Sequence, residues 1–112
     1  MKKLVFGILA IALALPLAAE TWKDVALMDA GCATHKEKTD APDAHTKTCA
    51  LRCGEKGGYG ALVDGKFIKF DKNGDDLTTA ALKKTEKTDH LRADITSEMK
   101  EGKMVVSAIE VK

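Results

Sequence analysis

Apolar and polar positions change their period several times along the chain. Leu4 to Leu15 is an unbroken apolar run between Met1-Lys2-Lys3 and Pro16-Leu-Ala-Ala19-Glu20. Trp22 to Met28 reads as a strand, with Val25 and Leu27 on one face at period two. Asp29-Ala-Gly31 ends it. Cys32 to Asp43, rich in Lys, Glu, Thr and Asp and holding Pro42, reads as a loop. The Ala, Leu, Arg and Lys content that follows predicts a helix of two or three turns, with Asp40 or Asp43 as its cap and Gly54 or Gly57-Gly58 as its end. Such a short helix is marginal alone and requires packing, a covalent link or a metal to hold it.

Past Gly58 the period returns to two. Tyr59 to Val63, then Asp64-Gly65, then Lys66 to Phe70 predicts a hairpin, because Asp-Gly supplies both positive-φ turn positions. Asp71, Asn73 and Asp75 have the spacing of the first calcium-loop ligands, but Asp76 and Leu82 stand where that loop requires Gly and Glu. A turn is the better reading, with Asp75 or Asp76 capping a short helix that carries Leu77, Ala80 and Ala81. His90 to Ser97 alternates again, so Leu91, Ala93 and Ile95 face inward and His90 heads the solvated row. Lys100-Glu-Gly-Lys103 turns the chain, and Met104 to Val111 pairs back.

The resulting order is strand, Cys/His insertion with a helix (residues 30–57), strand, strand, helix, strand, strand. With the insertion set aside, this mostly β (α+β) order of five strands, with a short helix between the third and fourth, matches the small barrel called the OB-fold. An open sandwich or a curled sheet with one helix is compatible with the same order.

The first residues change what the rest implies. A basic start, an apolar stretch too short to span a bilayer and small residues before Glu20 make residues 1–19 a secretory signal peptide. Cleavage after Ala19 leaves 20–112 as one domain, periplasmic or secreted, without a membrane segment, and expected to be a monomer. Lys2 and Lys3 leave with the signal, so the 18 basic residues fall to 16 against 17 acidic ones. Interspersed charges near neutrality, and only Trp22, Tyr59, Phe67 and Phe70 as aromatics in the domain, exclude the basic stripe and stacking platform of a nucleic-acid binder.

Three cysteines, Cys32, Cys49 and Cys53, and one histidine, His45, concentrate the candidate chemistry. An odd count in an oxidising compartment does not read as a simple disulfide framework. Together they form a Cys3His set of the kind that holds structural zinc. On a continuous helix His45 and Cys53 are about 12 Å apart, so one ion takes His45 with Cys49, or Cys49 with Cys53, each completed by Cys32 and, from the loop, His35. Cys49 is common to both. The competing reading is a disulfide from Cys32 to Cys49 or Cys53, which staples the loop to the helix; a Cys49–Cys53 bridge within the helix is the least favourable. A third reading makes Cys49 a thiol activated by His45, although no carboxylate or carboxamide is evidently placed to orient that histidine.

Asp29, Cys32, His45-x3-Cys49-x3-Cys53, Gly57-Gly58-Tyr59, Asp64-Gly65-Lys66 and the terminal hairpin together resemble a family of small exported bacterial proteins with a Cys-rich insertion in an OB-like barrel, generally described as a domain of unknown function. The resemblance spans nearly the whole mature chain. It implies that Cys32, His45, Cys49 and Cys53 form the shared cluster, and it implies no activity, substrate or cofactor. The turn Lys100-Glu-Gly-Lys103 replaces that family's more usual Asp-Gly-Asp type. The expectation is therefore an exported, non-enzymatic protein that binds zinc or copper in a structural or sequestering role. A disulfide-stapled module that binds a ligand or partner through Trp22 and Tyr59 is the alternative.

Overall fold

Backbone pairing arranges five antiparallel strands in the order β3-β2-β1-β4-β5. These are β1 (Glu20–Asp29), β2 (Tyr59–Val63), β3 (Lys66–Lys69), β4 (Arg92–Lys100) and β5 (Lys103–Val111). The computed structural model describes residues 19–112; apart from Ala19, the signal segment read from the sequence lies outside the described residues. The sheet curls until its edges meet, where Phe70 and Met104 form a single parallel bridge and the Asp71 N–H donates to the Met104 carbonyl at 2.9 Å. A five-stranded curled sheet of this order, with short helices, is the OB-like architecture expected from the element order.

Both hairpins turn through two residues in the left-handed region, Asp64-Gly65 (φ 51° and 79°) and Glu101-Gly102 (φ 53° and 79°). That conformation matches the right-handed twist of the flanking strands. The second turn thus sets Lys100 opposite Lys103 and Met99 opposite Met104, despite its departure from the Asp-Gly pattern. Leu91, Ala93 and Ile95 are buried as their alternation predicted, and His90 is exposed.

The first strand departs from simple alternation. Its register shifts between Trp22 and Val25, where Asp24 has φ 52°, and from Ala26 to Asp29 every residue is buried. Both faces of this half are covered. Leu27 joins the barrel core with Tyr59, Ala61, Ala93 and Ile95, while Ala26, Met28 and Leu62 form a second cluster on which Cys32, Ala33 and Phe67 pack. A strand covered on two sides loses the polar-apolar period, as in any sheet buried on both faces.

Residues 30–57 form a series of short elements in place of the expected loop and single helix. Cys32–Thr34 is a 3₁₀ turn, α1 spans Lys36–Asp40, Pro42–Ala44 is a second 3₁₀ turn, and α2 spans Lys47–Gly57. The cap of α2 is Thr46, whose Oγ1 accepts from the Cys49 N–H at 3.2 Å, and neither Asp40 nor Asp43 serves. The helix ends at Gly58, at φ 79°. Likewise α3 (Lys72–Lys84) is capped by Asp71, which accepts from the Gly74 N–H at 3.0 Å and the Val106 N–H at 3.1 Å. In both helices the stronger cap lies outside the run that the apolar pattern marks, because pattern locates the packed face and the cap precedes it.

Helix α2 lies close on Tyr59. Gly54 is buried, and a Cβ there would overlap the Tyr59 ring and hydroxyl, so glycine is required by contact. Gly54→Ala is expected to lower stability by about 2 to 3 kcal/mol, the scale for overpacking a filled core. Gly65→Ala, where open space surrounds the position, should cost about 1 kcal/mol from its positive φ alone. Urea unfolding of the two variants checks the order, and equal midpoints would contradict it.

Candidate metal centre

Asp29 closes β1 opposite Tyr59 and is fully buried at 0 % exposure. A carboxylate in that position requires hydrogen-bond donors, and the insertion supplies them. The chain turns at Ala30 and Gly31, held by the Ala30 N–H donating to the Gly58 carbonyl at 2.9 Å. The Cys32 N–H then donates to Asp29 Oδ2 at 2.8 Å. After α1 the chain returns through Pro42–Ala44 and brings His45 Nε2 to 2.6 Å from Asp29 Oδ1.

Several contacts fix this return. The His45 N–H donates to the Pro42 carbonyl at 3.1 Å, the His90 N–H to the Asp43 carbonyl at 3.0 Å and the Lys47 N–H to the Thr88 carbonyl at 2.8 Å. Arg92 on β4 donates to both carboxylate oxygens of Asp43, Nε to Oδ1 at 3.0 Å and a terminal nitrogen to Oδ2 at 3.2 Å. Those bonds from Arg92 hold the Asp43 carboxyl below the usual carboxylate range. Paired, planar geometry of this kind orients as well as attracts. His45 therefore sits on backbone anchored at both ends, in an extended conformation (φ −73°, ψ 127°) just before the α2 cap.

One carboxylate oxygen of Asp29, the Cys32 Sγ and one ring nitrogen of His45 all lie within 4.8 Å of one another. The group lies close enough to hold a metal ion. Asp29 and His45 are buried and Cys32 is half-buried. Burial, then the Asp29 carboxylate, then the Cys53 thiol push Cys32 up to about 11, so without a cation its thiol stays protonated at neutral pH. A bound cation reverses this balance, because it stabilises the thiolate that the buried carboxylate disfavours.

Among the residues marked out by sequence, the structure brings Cys32 and His45 together, and Cys53 is among the groups that raise the pKa of Cys32. Cys49 is outside the three-residue group, on the first turn of α2, and His35 is exposed at the start of α1. His45 precedes the helix, so the helical stack of His45, Cys49 and Cys53 does not form. Thr46 takes the cap and the residue before a cap is not helical. Asp29 is the member that reasoning from cysteine and histidine spacing missed. Its signal was an acidic residue directly after Val25-Ala-Leu-Met28, read as the end of a strand and named among the residues of the resemblance, but not assigned to the cluster. It also supplies the carboxylate partner of His45 that the sequence did not evidently contain. Of the two aromatics considered as ligand contacts, Tyr59 is buried at 1 % exposure, while Trp22 is half-buried and its indole N–H donates to Ser97 Oγ at 3.1 Å.

The chain is thus an OB-like small β-barrel protein with a carboxylate, thiol and imidazole gathered where an insertion rejoins its first strand. Comparison with protein-family models, with curated proteins and with solved structures finds no match for it.

The raised Cys32 thiol has a consequence for stability in alkali. The unfolded chain releases this proton from about pH 9.0 and the folded chain only near pH 11, so over that window the unfolded state binds fewer protons. The stabilisation is complete below pH 9 and is lost as pH rises towards 11. Urea midpoints of the wild type should therefore fall more steeply between pH 9 and 11 than those of Cys32→Ser. Parallel decline of the two proteins would show that Cys32 is not so held.

Proposed function

We propose that this chain is an exported protein that binds a transition metal ion through Asp29, Cys32 and His45, with zinc as the ion it fits best and sequestration as its role. The observation that carries this reading is the convergence of one oxygen, one sulfur and one nitrogen ligand atom within 4.8 Å. Ligand atoms of zinc lie about 2.0 to 2.3 Å from the ion, so small side-chain adjustments bring all three to one centre. The 2.6 Å contact between Asp29 and His45 opens by about 1 Å or less to admit it. The hard carboxylate favours zinc over cuprous copper, which prefers softer sulfur ligands. Three protein ligands leave a fourth position open, unlike the closed four-ligand site of structural zinc.

The thiol-nucleophile reading is weaker for two reasons. Its imidazole is engaged by Asp29 rather than by Cys49, and Cys32, the thiol gathered with the histidine, is held protonated by burial and by the same carboxylate. An activated cysteine requires surroundings that stabilise the thiolate.

Reduced protein dialysed against zinc and then against buffer should retain one equivalent by elemental analysis, and less than one-tenth equivalent of any transition metal would sink the proposal. Asp29→Asn, Cys32→Ser and His45→Gln should each weaken binding at least tenfold, and Cys49→Ser should leave it unchanged. Arg92→Met, which touches no ligand but releases Asp43, should weaken it by about tenfold, the lower end of the range for groups that orient ligands. A strong effect of Cys49→Ser together with a weak one of Asp29→Asn would return the site to the cysteine set read from spacing alone.

A further inference from the structure

Cys53 occupies the turn of α2 that precedes Gly57, and that end of the helix is fastened to the residues leading into Cys32. A Cβ on Gly57 would lie 3.6 Å from the Ala30 Cβ and 4.0 Å from the Gly31 nitrogen, and the Ala30 N–H bonds to the Gly58 carbonyl at 2.9 Å. Residues four apart on a helix share a face, so Cys53 lies on the face of α2 that carries Gly57, the face set against Ala30 and Gly31 just before Cys32. The Cys53 thiol is among the groups that raise the pKa of Cys32, whereas Cys49, one turn further back, is not. All three thiols are free and half-buried. Cys53 is also outside the group formed by Asp29, Cys32 and His45, so it neighbours one ligand of that site without sharing the centre.

We propose that Cys32 and Cys53 are a reversible dithiol–disulfide pair, and that forming the disulfide removes Cys32 from the Asp29–Cys32–His45 centre and releases its metal. The second half of this statement rests on the metal-binding reading, and the first does not. The oxidant is a small-molecule disulfide. One of the two cysteine thiolates attacks a sulfur of that disulfide, forming a mixed disulfide and expelling one thiolate. The other cysteine then attacks the cysteine sulfur of the mixed disulfide, closing the Cys32–Cys53 bond and expelling the second thiolate. Two electrons pass from the protein to the oxidant, whose sulfur–sulfur bond is broken. The two thiol protons finish on the two released small-molecule thiols, which excess thiol reverses. The pair sulfur no longer carries the charge that binds a cation, since the thiolate and not the disulfide is the ligand. Loss of one ligand of three leaves Asp29 and His45 bonded to each other, the contact they make without an ion.

Trypsin separates the three cysteines into different peptides, Asp24–Lys36 with Cys32, Thr48–Arg52 with Cys49, and Cys53–Lys56 with Cys53. Reduced protein, with and without one equivalent of zinc, is exposed to oxidised glutathione, alkylated, digested and mapped without reduction. The expected product is a single cross-link between Asp24–Lys36 and Cys53–Lys56, with Cys49 alkylated and with dithiothreitol restoring all three thiols. Cross-linking should be at least tenfold slower with zinc present, and the oxidised protein should bind zinc at least tenfold more weakly than the reduced protein. A Cys32–Cys49 cross-link, or three alkylated cysteines after prolonged exposure, overturns the pair. A Cys32–Cys53 cross-link with unchanged zinc affinity overturns the coupling. If the reduced protein takes up no zinc, the metal reading fails while the map still decides the pair.

Discussion

The buried contact between Asp29 and His45 is the constraint to which most of this structure answers. A carboxylate taken out of water costs several kcal/mol unless donors replace its hydration, and here it ends the buried apolar half of β1 with no exposure. Two donors reach it, the Cys32 amide and the His45 ring, one from each end of the segment that follows. The first half of the insertion, Cys32 to His45, thus begins and ends on the same side chain. Its course between those points is largely exposed, and α1 contributes no buried residue; its two ends are what is determined.

From that contact outward the architecture is a set of measures that hold His45 in place. The Thr46 cap starts α2 immediately after it, the Asp43–Arg92 pair ties the preceding turn to β4, and the Lys47 amide is satisfied by Thr88. Gly54 then allows α2 to lie against Tyr59, the residue opposite Asp29 in the sheet. A ligand-sized cluster built on strand and helix termini, with its supporting residues on a different strand, is held more rigidly than one built within a free loop. The same seating sets the α2 face that carries Cys53 and Gly57 against Ala30 and Gly31, the residues leading into Cys32.

Much of the barrel was legible in the residues. Asp64-Gly65 and the alternation of Leu91, Ala93 and Ile95 define local geometry that no tertiary contact needs to supply, and the element order then admits few topologies. The site was legible only in part. Cys32 and His45 stand out by residue type, but Asp29 does not, since an aspartate after an apolar run is the ordinary end of a strand. Cys49 stood out for a helical spacing to His45 that the Thr46 cap removes. The insertion itself, polar and lacking periodicity, carried no local signal of its short helical turns, because they follow from its two anchored ends and not from its composition.

Taken by itself, the sequence determined the two hairpins, the inward rows of β4 and β5, the helix between the third and fourth strands and the concentration of thiols and imidazole near the first strand. These depend on periodicity and turn chemistry, which act between residues close along the chain. Only the tertiary structure decided which of the reactive side chains meet. Asp29 and His45 are sixteen residues apart, and Arg92, which orients the turn beside them, is a further forty-nine from its partner Asp43. Such contacts arise from the need to satisfy a buried charge across the fold, and no local pattern records that need.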